Sequence, residues 1–487
     1  MRRVLAVVFL LVVVLAIVVV SRAALLRPTA EKPVPAADAI AVDESGAVQR
    51  LAAAIRIPTV SNASLIIDAD AMAKLRDLMQ SSFPRVHAVM TREVLDSGAM
   101  VFTWKGRDPS ADPVVLMGHM DVVPAEAATL NRWQHAPFSG DIADGSIWGR
   151  GTLDDKQSVF SLMEAAETLL AQGFTPARTV IFAFGDDEEN GGPQGAGRIV
   201  KLLQSRGVHA AFVVDEGGAV VTGMVPGFTA PLAVVGTAEK GYLSLALSTT
   251  GAGGHSSEPP AHTAIGRLAT GLARLEAHPF PGSLPAPMRA ELVSLAPYMP
   301  FSKRLILGNL WLTRPLIVGA GLQDEHQAGG FHTTTAEDII SGGVKENVLP
   351  TEAHAVVNFR ILPGETVNSV TEGVRARIAD SGITIANANP GSARDPSPVS
   401  PTNTDGFQEL ATTIRQRYPG TVVTPYLVQA ATDSSYYYGV SPNVYRFAPI
   451  EANPATLTMV HGFNEHITTI NYIHAVQFEA QLIRNIR

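Results

Sequence analysis

Apolar residues fill positions 4–20 without a break, behind Arg2 and Arg3. A segment apolar on every side has no polar face to turn toward water, so it predicts a leader or an anchor rather than a core helix. A signal-peptide core usually spans about 7–15 residues, and this run is longer. At about 1.5 Å per residue it is slightly short for a hydrocarbon layer of roughly 30 Å. Arg22 and Arg27 can snorkel at its far end, and Ser21-Arg22-Ala23 offers small residues for cleavage. Residues 1–27 are therefore expected to be a single membrane anchor with the rest of the chain extracytoplasmic, or else a signal peptide removed on secretion. Arginines flank both ends, so charge orients the segment only weakly. Residues 28–42, with Pro28, Pro33 and Pro35 among Ala and Glu, read as a linker.

From about residue 43 the texture changes to strand and helix in alternation. Residues 114–118, 179–184 and 212–214 are short apolar runs, as in strands buried on both faces. Between them, Val159, Leu162, Met163, Ala166, Leu169 and Leu170 recur at three and four residues, predicting a helix over 155–173 that Gly173 stops. Residues 199–204 lie in a second helix. This alternation predicts an α/β fold with a mixed, largely parallel sheet. Beyond about 237 the period falls to two: 242–248 and 353–360 alternate like strands of a sheet buried on one side, with a helix pattern over 263–277 between them. Residues 237–397 thus predict an inserted two-layer α+β unit. Residues 280–330 are apolar and Pro-rich, with no clear period. Helix–strand alternation resumes near Gln408, so 398–487 read as the second part of the domain begun at 43–236.

Composition narrows the chemistry. The 487 residues include no Cys, so any metal must sit on His, Asp and Glu. The 37 Lys and Arg stand against 45 Asp and Glu, a net charge of -8 that argues against nucleic acid as the partner. The acidic and histidine residues gather at strand ends. Residues 114–118 run into His119-Met120-Asp121, whose i, i+2 spacing points both side chains one way. Gly149-Arg150-Gly151-Thr152-Leu153-Asp154-Asp155-Lys156 leads into the first helix, where one Asp can serve simply as a cap. The run Gly185-Asp186-Asp187-Glu188-Glu189-Asn190 follows the second strand, and Asp215-Glu216-Gly217-Gly218 the third. Like charges this close repel unless a cation offsets them. Three strands delivering such groups to one sheet edge, where α/β proteins bind ligands, point to a metal site.

In this order the motifs resemble the di-zinc metallopeptidases that include aminoacylase, carboxypeptidase S and peptidase T-like enzymes. The likeness is strongest to the carboxypeptidase S and N-acyl-amino-acid hydrolase branch. It covers nearly all of the chain after the linker. The resemblance implies that His119, Asp154 and Asp215 hold one zinc and that Asp154, Glu189 and His461 hold the second. Co²⁺ or Mn²⁺ are possible substitutes. It implies Glu188 as general base and Asp121 as the group orienting His119. His461 lies in His461-Gly462-Phe463-Asn464-Glu465, with His466 its only competitor; His135, His354 and His474 read as surface or packing residues. Three carboxylates and one hydroxide would neutralise two zinc ions, as burial requires. In the inserted unit, Gly253-Gly254-His255-Ser256-Ser257 resembles the family's lid motif, whose His stabilises an oxyanion, often in the neighbouring subunit's site. A homodimer through the lid is thereby implied. Asn347 and Arg360 resemble groups that bind a substrate's terminal carboxylate. One position departs: Ser435 follows Thr432-Asp433-Ser434 where the branch usually has Arg.

The function expected is hydrolysis of an amide next to a free α-carboxylate, on a short peptide or an N-acyl amino acid, with metal-bound hydroxide as nucleophile. The apolar 280–330 segment suits an acyl group, a membrane surface or ordinary packing. The alternatives are a membrane-tethered binding protein without turnover and a di-zinc aminopeptidase, which would recognise a free amine instead.

Overall fold

The computed structural model describes the chain apart from residues 29–33, 36, 38 and 62–67. The linker expected over 28–42 therefore lies partly outside the described residues.

The three apolar runs become the strands Val114–His119, Val180–Gly185 and Phe212–Asp215, buried at every residue. Val114–His119 sits in the middle and pairs in parallel with both others, His119 lying opposite Gly185. They form the heart of a ten-stranded sheet. Met100–Trp104 adds to it antiparallel, beside Val180–Gly185. Val444–Arg446 adds parallel to Phe212–Asp215. The sheet is thus mixed, and parallel at its centre. Helices Lys156–Ala171 and Thr469–Asn485 cover one face, where Val159, Leu162, Met163 and Leu169 are buried with Leu116, Phe182 and Phe478. Helix Ala196–Ser205 covers the other through Ile199, Val200 and Leu203 against Val115, Ile181 and Val213. Each such side chain contributes about 1.5–3 kcal/mol on leaving water.

The chain leaves this sheet at the end of Leu232–Glu239 and enters a second one at Gly241–Thr250. That sheet has the order Thr334–Gly342, Glu352–Ile361, Gly241–Thr250, Thr384–Asn387, all antiparallel. Burial alternates along its two central strands. Leu243, Leu245, Leu247, Val357 and Phe359 face helices Ala264–Ala277 and Val367–Ile378, making two layers around a separate core. Thr263 caps the first of these helices by accepting from the Gly266 N–H.

The segment over 280–330, without a period in the sequence, folds as three helices: Ala286–Leu295, Phe301–Leu307 and Leu310–Gln323. They do not join the lid layers. Leu295 and Met299 pack with Val221, Leu232 and Val422 at the margin of the large sheet. The chain then returns through helix Asp405–Arg417 and strand Val422–Val428, which pairs in parallel with Leu232–Glu239. The leader is a helix, Arg2–Leu25, long and apolar enough to cross a membrane, with Ala23 its one buried residue.

Candidate metal centre

Parallel neighbours end together, so the three central strands bring their C-terminal residues to one place. His119 closes its strand; Asp186 to Glu189 follow the second; Glu216 follows the third. The loop before helix Lys156–Ala171 adds Asp154, and the loop before the strand His466–Thr468 adds His461. His119 Nε2 lies 2.8 Å from Asp154 Oδ1. His461 Nε2 lies 2.9 Å from Asp154 Oδ2 and 3.3 Å from Glu189 Oε2. Asp154 thus faces a different histidine with each oxygen. Donor atoms fall within 4.8 Å of one another in three sets: His119, Asp154 and Glu216; His119, Glu188 and Glu189; Asp154, Glu189 and His461.

The electrostatics fit divalent cations. Desolvation pushes the carboxyl groups of Glu188 and Glu216 well above the usual range, and their carboxylate neighbours push the same way. Glu189 is raised by the same burial. Hydrogen bonds to Asp154 and Glu189 raise His461 to about 10. Against its burial, His119 is raised by hydrogen bonds to Asp121 and Asp154. One oxygen of Glu189 is buried without a hydrogen-bond partner. Carboxylates outnumber cations here, and burying such a group costs several kcal/mol unless cations are supplied. His119, Asp154, Glu188, Glu189, Glu216 and His461 make up the groups of donor atoms that could hold such ions.

Other residues hold the donors in position. Asp121 is fully buried and accepts from the Glu188 and Glu189 N–H groups at 3.1 and 3.2 Å and from Ser61 Oγ at 2.6 Å. Its carboxylate also lies 3.4 Å from His119 Nδ1, whose closest partner is the Asp121 carbonyl at 3.0 Å. One side chain therefore ties the first strand's histidine to the second strand's acidic turn. A second clamp joins the Asp154 and His461 loops. Buried Arg150 pairs with buried Glu465 and donates to the Gly462 carbonyl at 2.7 Å. Glu465 in turn accepts from the Gly151 and Leu153 N–H groups at 2.9 and 2.8 Å. Gly149 takes φ 139°, and a Cβ there would fall 2.4 Å from Ile55 Cγ2, so the tight turn requires glycine.

The residues singled out in the sequence separate by position. His119, Asp154, Glu188, Glu189 and His461 come together, with Asp121 beneath them. Asp215 sits differently: its Oδ2 accepts from the Ser434 N–H at 2.8 Å, and Glu216 is the acid whose oxygen approaches His119 and Asp154. His466 stacks on Trp148 at 4.1 Å and does not join the donor sets among the described residues. His135, His354 and His474 pair with Asp141, Glu352 and Glu451 away from the centre. His255 and Asn347 lie on an exposed two-stranded ribbon of the lid, where the Ser256 N–H donates to the Asn347 carbonyl at 3.3 Å. Neither is among the residues lining the cleft at Glu188 and His461.

Two chambers flank the centre, and both touch Ala430. One, of about 350 Å³, is lined by Glu188, Glu189, His461, Tyr242, Arg360 and Arg394. The Arg360 guanidinium lies 4.9 Å from the Tyr242 ring, and the Arg394 backbone bonds to that of Tyr242 on both sides. The other, of about 430 Å³, starts at Asp154 and Glu216 and runs between Val221, Met224, Leu232, Val234, Ile450 and Leu457. Sequence reasoning passed over Glu216, Arg394, Arg150 and Glu465. Glu216 adjoins Asp215, and Arg150 and Glu465 lie inside motifs read from the sequence without a role of their own; nothing local marks Arg394.

The family model for "Peptidase family M20/M25/M40" matches residues 115–485. The N-fatty-acyl-amino acid synthase/hydrolase PM20D1 of Homo sapiens is 40% identical over 90% of this chain and 87% of its own length. The probable carboxypeptidase S-like 2 of Dictyostelium discoideum is 38% identical over 85% of this chain and 79% of its own. Among solved structures, an M20 family metallo-carboxypeptidase of Sulfolobus solfataricus superimposes with a TM-score of 0.68 at 16% identity, covering 90% of this chain and 98% of that one. The fold, the donor cluster and these matches agree: the chain belongs to peptidase family M20/M25/M40 and is a metal-dependent hydrolase of amide bonds.

Proposed function

We propose that the enzyme cleaves the amide of an N-acyl amino acid whose acyl part is long and apolar. One observation carries this reading: the acidic centre lies between a chamber with two arginines and a chamber walled by aliphatic side chains. Arg360 and Arg394 select the free α-carboxylate, for which a guanidinium fork is suited. The aliphatic chamber takes the acyl chain, each buried CH₂ contributing about 0.8 kcal/mol. The human relative's name, an N-fatty-acyl-amino acid synthase/hydrolase, supports the same division. Arg394 supplies a second cation in a chain that has Ser435 where the resemblance implies Arg.

Two zinc ions, held by His119, Asp154, Glu189, His461 and an acid of the Asp215–Glu216 pair, would polarise the amide carbonyl and lower the pKa of water from about 15.7 toward 7. Glu188 takes the proton from the attacking water and returns it to the leaving amine. Asp121 keeps Glu188 and His119 in register through the contacts described above. The exposed lid ribbon with His255 and Asn347 is suited to reach the cleft of a second copy, completing its oxyanion site. The lid's outermost strand, Thr334–Gly342, exposes Ile339 and Ile340 for pairing of that kind. The Arg2–Leu25 helix anchors the chain, leaving the catalytic part outside the cytoplasm.

Turnover of N-acyl amino acids of increasing chain length, with and without chelator, tests the proposal. kcat/KM is expected to rise with chain length and to vanish on metal removal. Faster cleavage of short dipeptides than of any long-chain substrate would favour the carboxypeptidase reading instead.

A further inference from the structure

We infer that the helix pair Phe301–Leu307 and Leu310–Gln323 is a second membrane-docking element, immersed in the lipid interface beside the leader helix. This rests on the reading of that leader as an uncleaved anchor.

The pair is bent by 101° and, taken together, is apolar and long enough to pass for a broken span or a re-entrant segment. Its large apolar side chains face outward: Trp311 is 58% and Leu316 70% exposed, with Phe301, Ile306 and Leu312 also uncovered. A patch of this kind on a soluble domain marks a binding surface. From Leu292 to Gln323 there is no acidic residue, while Lys303, Arg304 and Arg314 are cationic. Aliphatic and aromatic side chains with interspersed cations are the composition of segments that lie in a bilayer surface.

The leader decides the occupant. Among the described residues, its hydrogen bonds to the rest of the chain lie near its end and go to this pair. Asn309, at the bend, is fully buried and donates to the Val19 carbonyl of the leader at 3.1 Å. Arg304 donates to the Leu26 carbonyl at 2.7 Å, and Arg22 to the Gly308 carbonyl at 3.3 Å. Val19 is the penultimate residue of the unbroken apolar run, so the bend lies at the edge of whatever layer that run enters. A helix break at that depth needs its freed polar groups satisfied internally. Asn309 also donates to the Leu305 carbonyl at 2.9 Å, and Thr313 Oγ1 donates to the Ile306 carbonyl at 2.7 Å. The exposed face continues directly from a lipid-spanning helix, so a bilayer is what covers it. Leu307 of the same pair packs on the cluster of Val221, Phe228 and Leu232, two of which wall the apolar chamber. Docking therefore places that chamber's wall next to the lipid.

The chain has no native cysteine, so single-cysteine labelling is clean. The full-length protein is reconstituted into phosphatidylcholine–phosphatidylglycerol vesicles containing acyl-chain nitroxide lipids. An environment-sensitive fluorophore is attached to Leu316→Cys, with Val12→Cys in the leader and Val344→Cys on the lid, 96% exposed, as references. Each labelled protein must retain hydrolysis of a soluble N-acyl amino acid, which excludes misfolding. Quenching at 316 severalfold above that at 344, and comparable to that at 12, is the expected result. Quenching at 12 with 316 no different from 344 overturns the inference and leaves the anchor standing. A blue shift at 316 without nitroxide quenching also overturns it, because the face is then covered by protein. Absence of quenching at both 12 and 316 overturns the anchor reading and the inference together, while the hydrolysis assay still reports separately on the proposed reaction.

Discussion

The two chambers beside the metal centre meet at Ala430 and share no other lining residue. One is built on the lid, where Arg360 and Tyr242 are cross-strand partners in the small antiparallel sheet. The other is built on the large sheet's margin, from Val221, Leu232, Val234 and Ile450. On the proposed reading, the first recognises by charge and direction and the second by removing apolar area from water. A group in the first chamber should therefore discriminate sharply between substrates with and without a carboxylate. A group in the second should change preference gradually with chain length. The centre itself should be indifferent to both.

That contrast orders the expected effects. Glu188→Gln removes the proton carrier and should lower kcat by roughly 10²–10⁴ for every substrate. Steady-state assays over acyl chains and head groups check this, and an effect confined to one substrate class would break the comparison. Arg150→Met leaves Glu465 buried without its partner and frees the Asp154 and His461 loops from each other. Removing one partner of a buried pair costs about 3–5 kcal/mol, read as a loss of stability in urea titration together with loss of bound zinc. Arg360→Ala and Arg394→Ala should each raise KM about ten- to a hundredfold for free acids, equivalent to roughly 1.5–3 kcal/mol per charged hydrogen bond. Neither should affect a substrate whose carboxylate is esterified.

The smallest effect belongs to Glu291, a further carboxyl group lining the aliphatic chamber, which desolvation pushes up to about 7. A raised carboxyl pKa means that the group is neutral below that value and charged above it. KM for long acyl chains should accordingly rise a few-fold as pH passes upward through about 7. Glu291→Leu should abolish that rise, as a pH series of KM values would show.

The large sheet and its chemistry were legible in the sequence because the same residues carry both signals. Apolar runs such as 114–118 and 180–184 end in His119 and in Glu188–Glu189, so naming the strands also placed the donors. The lid was legible through the alternation at 242–248. Other features were not. Asp215 and Glu216 are adjacent acids, and only strand geometry decides which faces the centre. Arg394 precedes a Pro-rich stretch with no periodic signal; pairing with Tyr242, more than a hundred residues earlier, brings it to the cleft. The helices over 280–330 lack a polar–apolar period because much of their surface faces neither the core nor, on the inference above, water. Periodicity reports a boundary between oil and water, and this segment does not have an ordinary one.

The measurement that tests the central claim most directly is a two-by-two comparison of kcat/KM. A long-chain N-acyl amino acid and its N-acetyl counterpart are each assayed as the free acid and as the methyl ester, using the metal-replete enzyme. The two-chamber account predicts that shortening the acyl chain and blocking the carboxylate each lower kcat/KM, and that Arg360→Ala weakens only the carboxylate effect. Equal hydrolysis of acid and ester by the unaltered enzyme would contradict it.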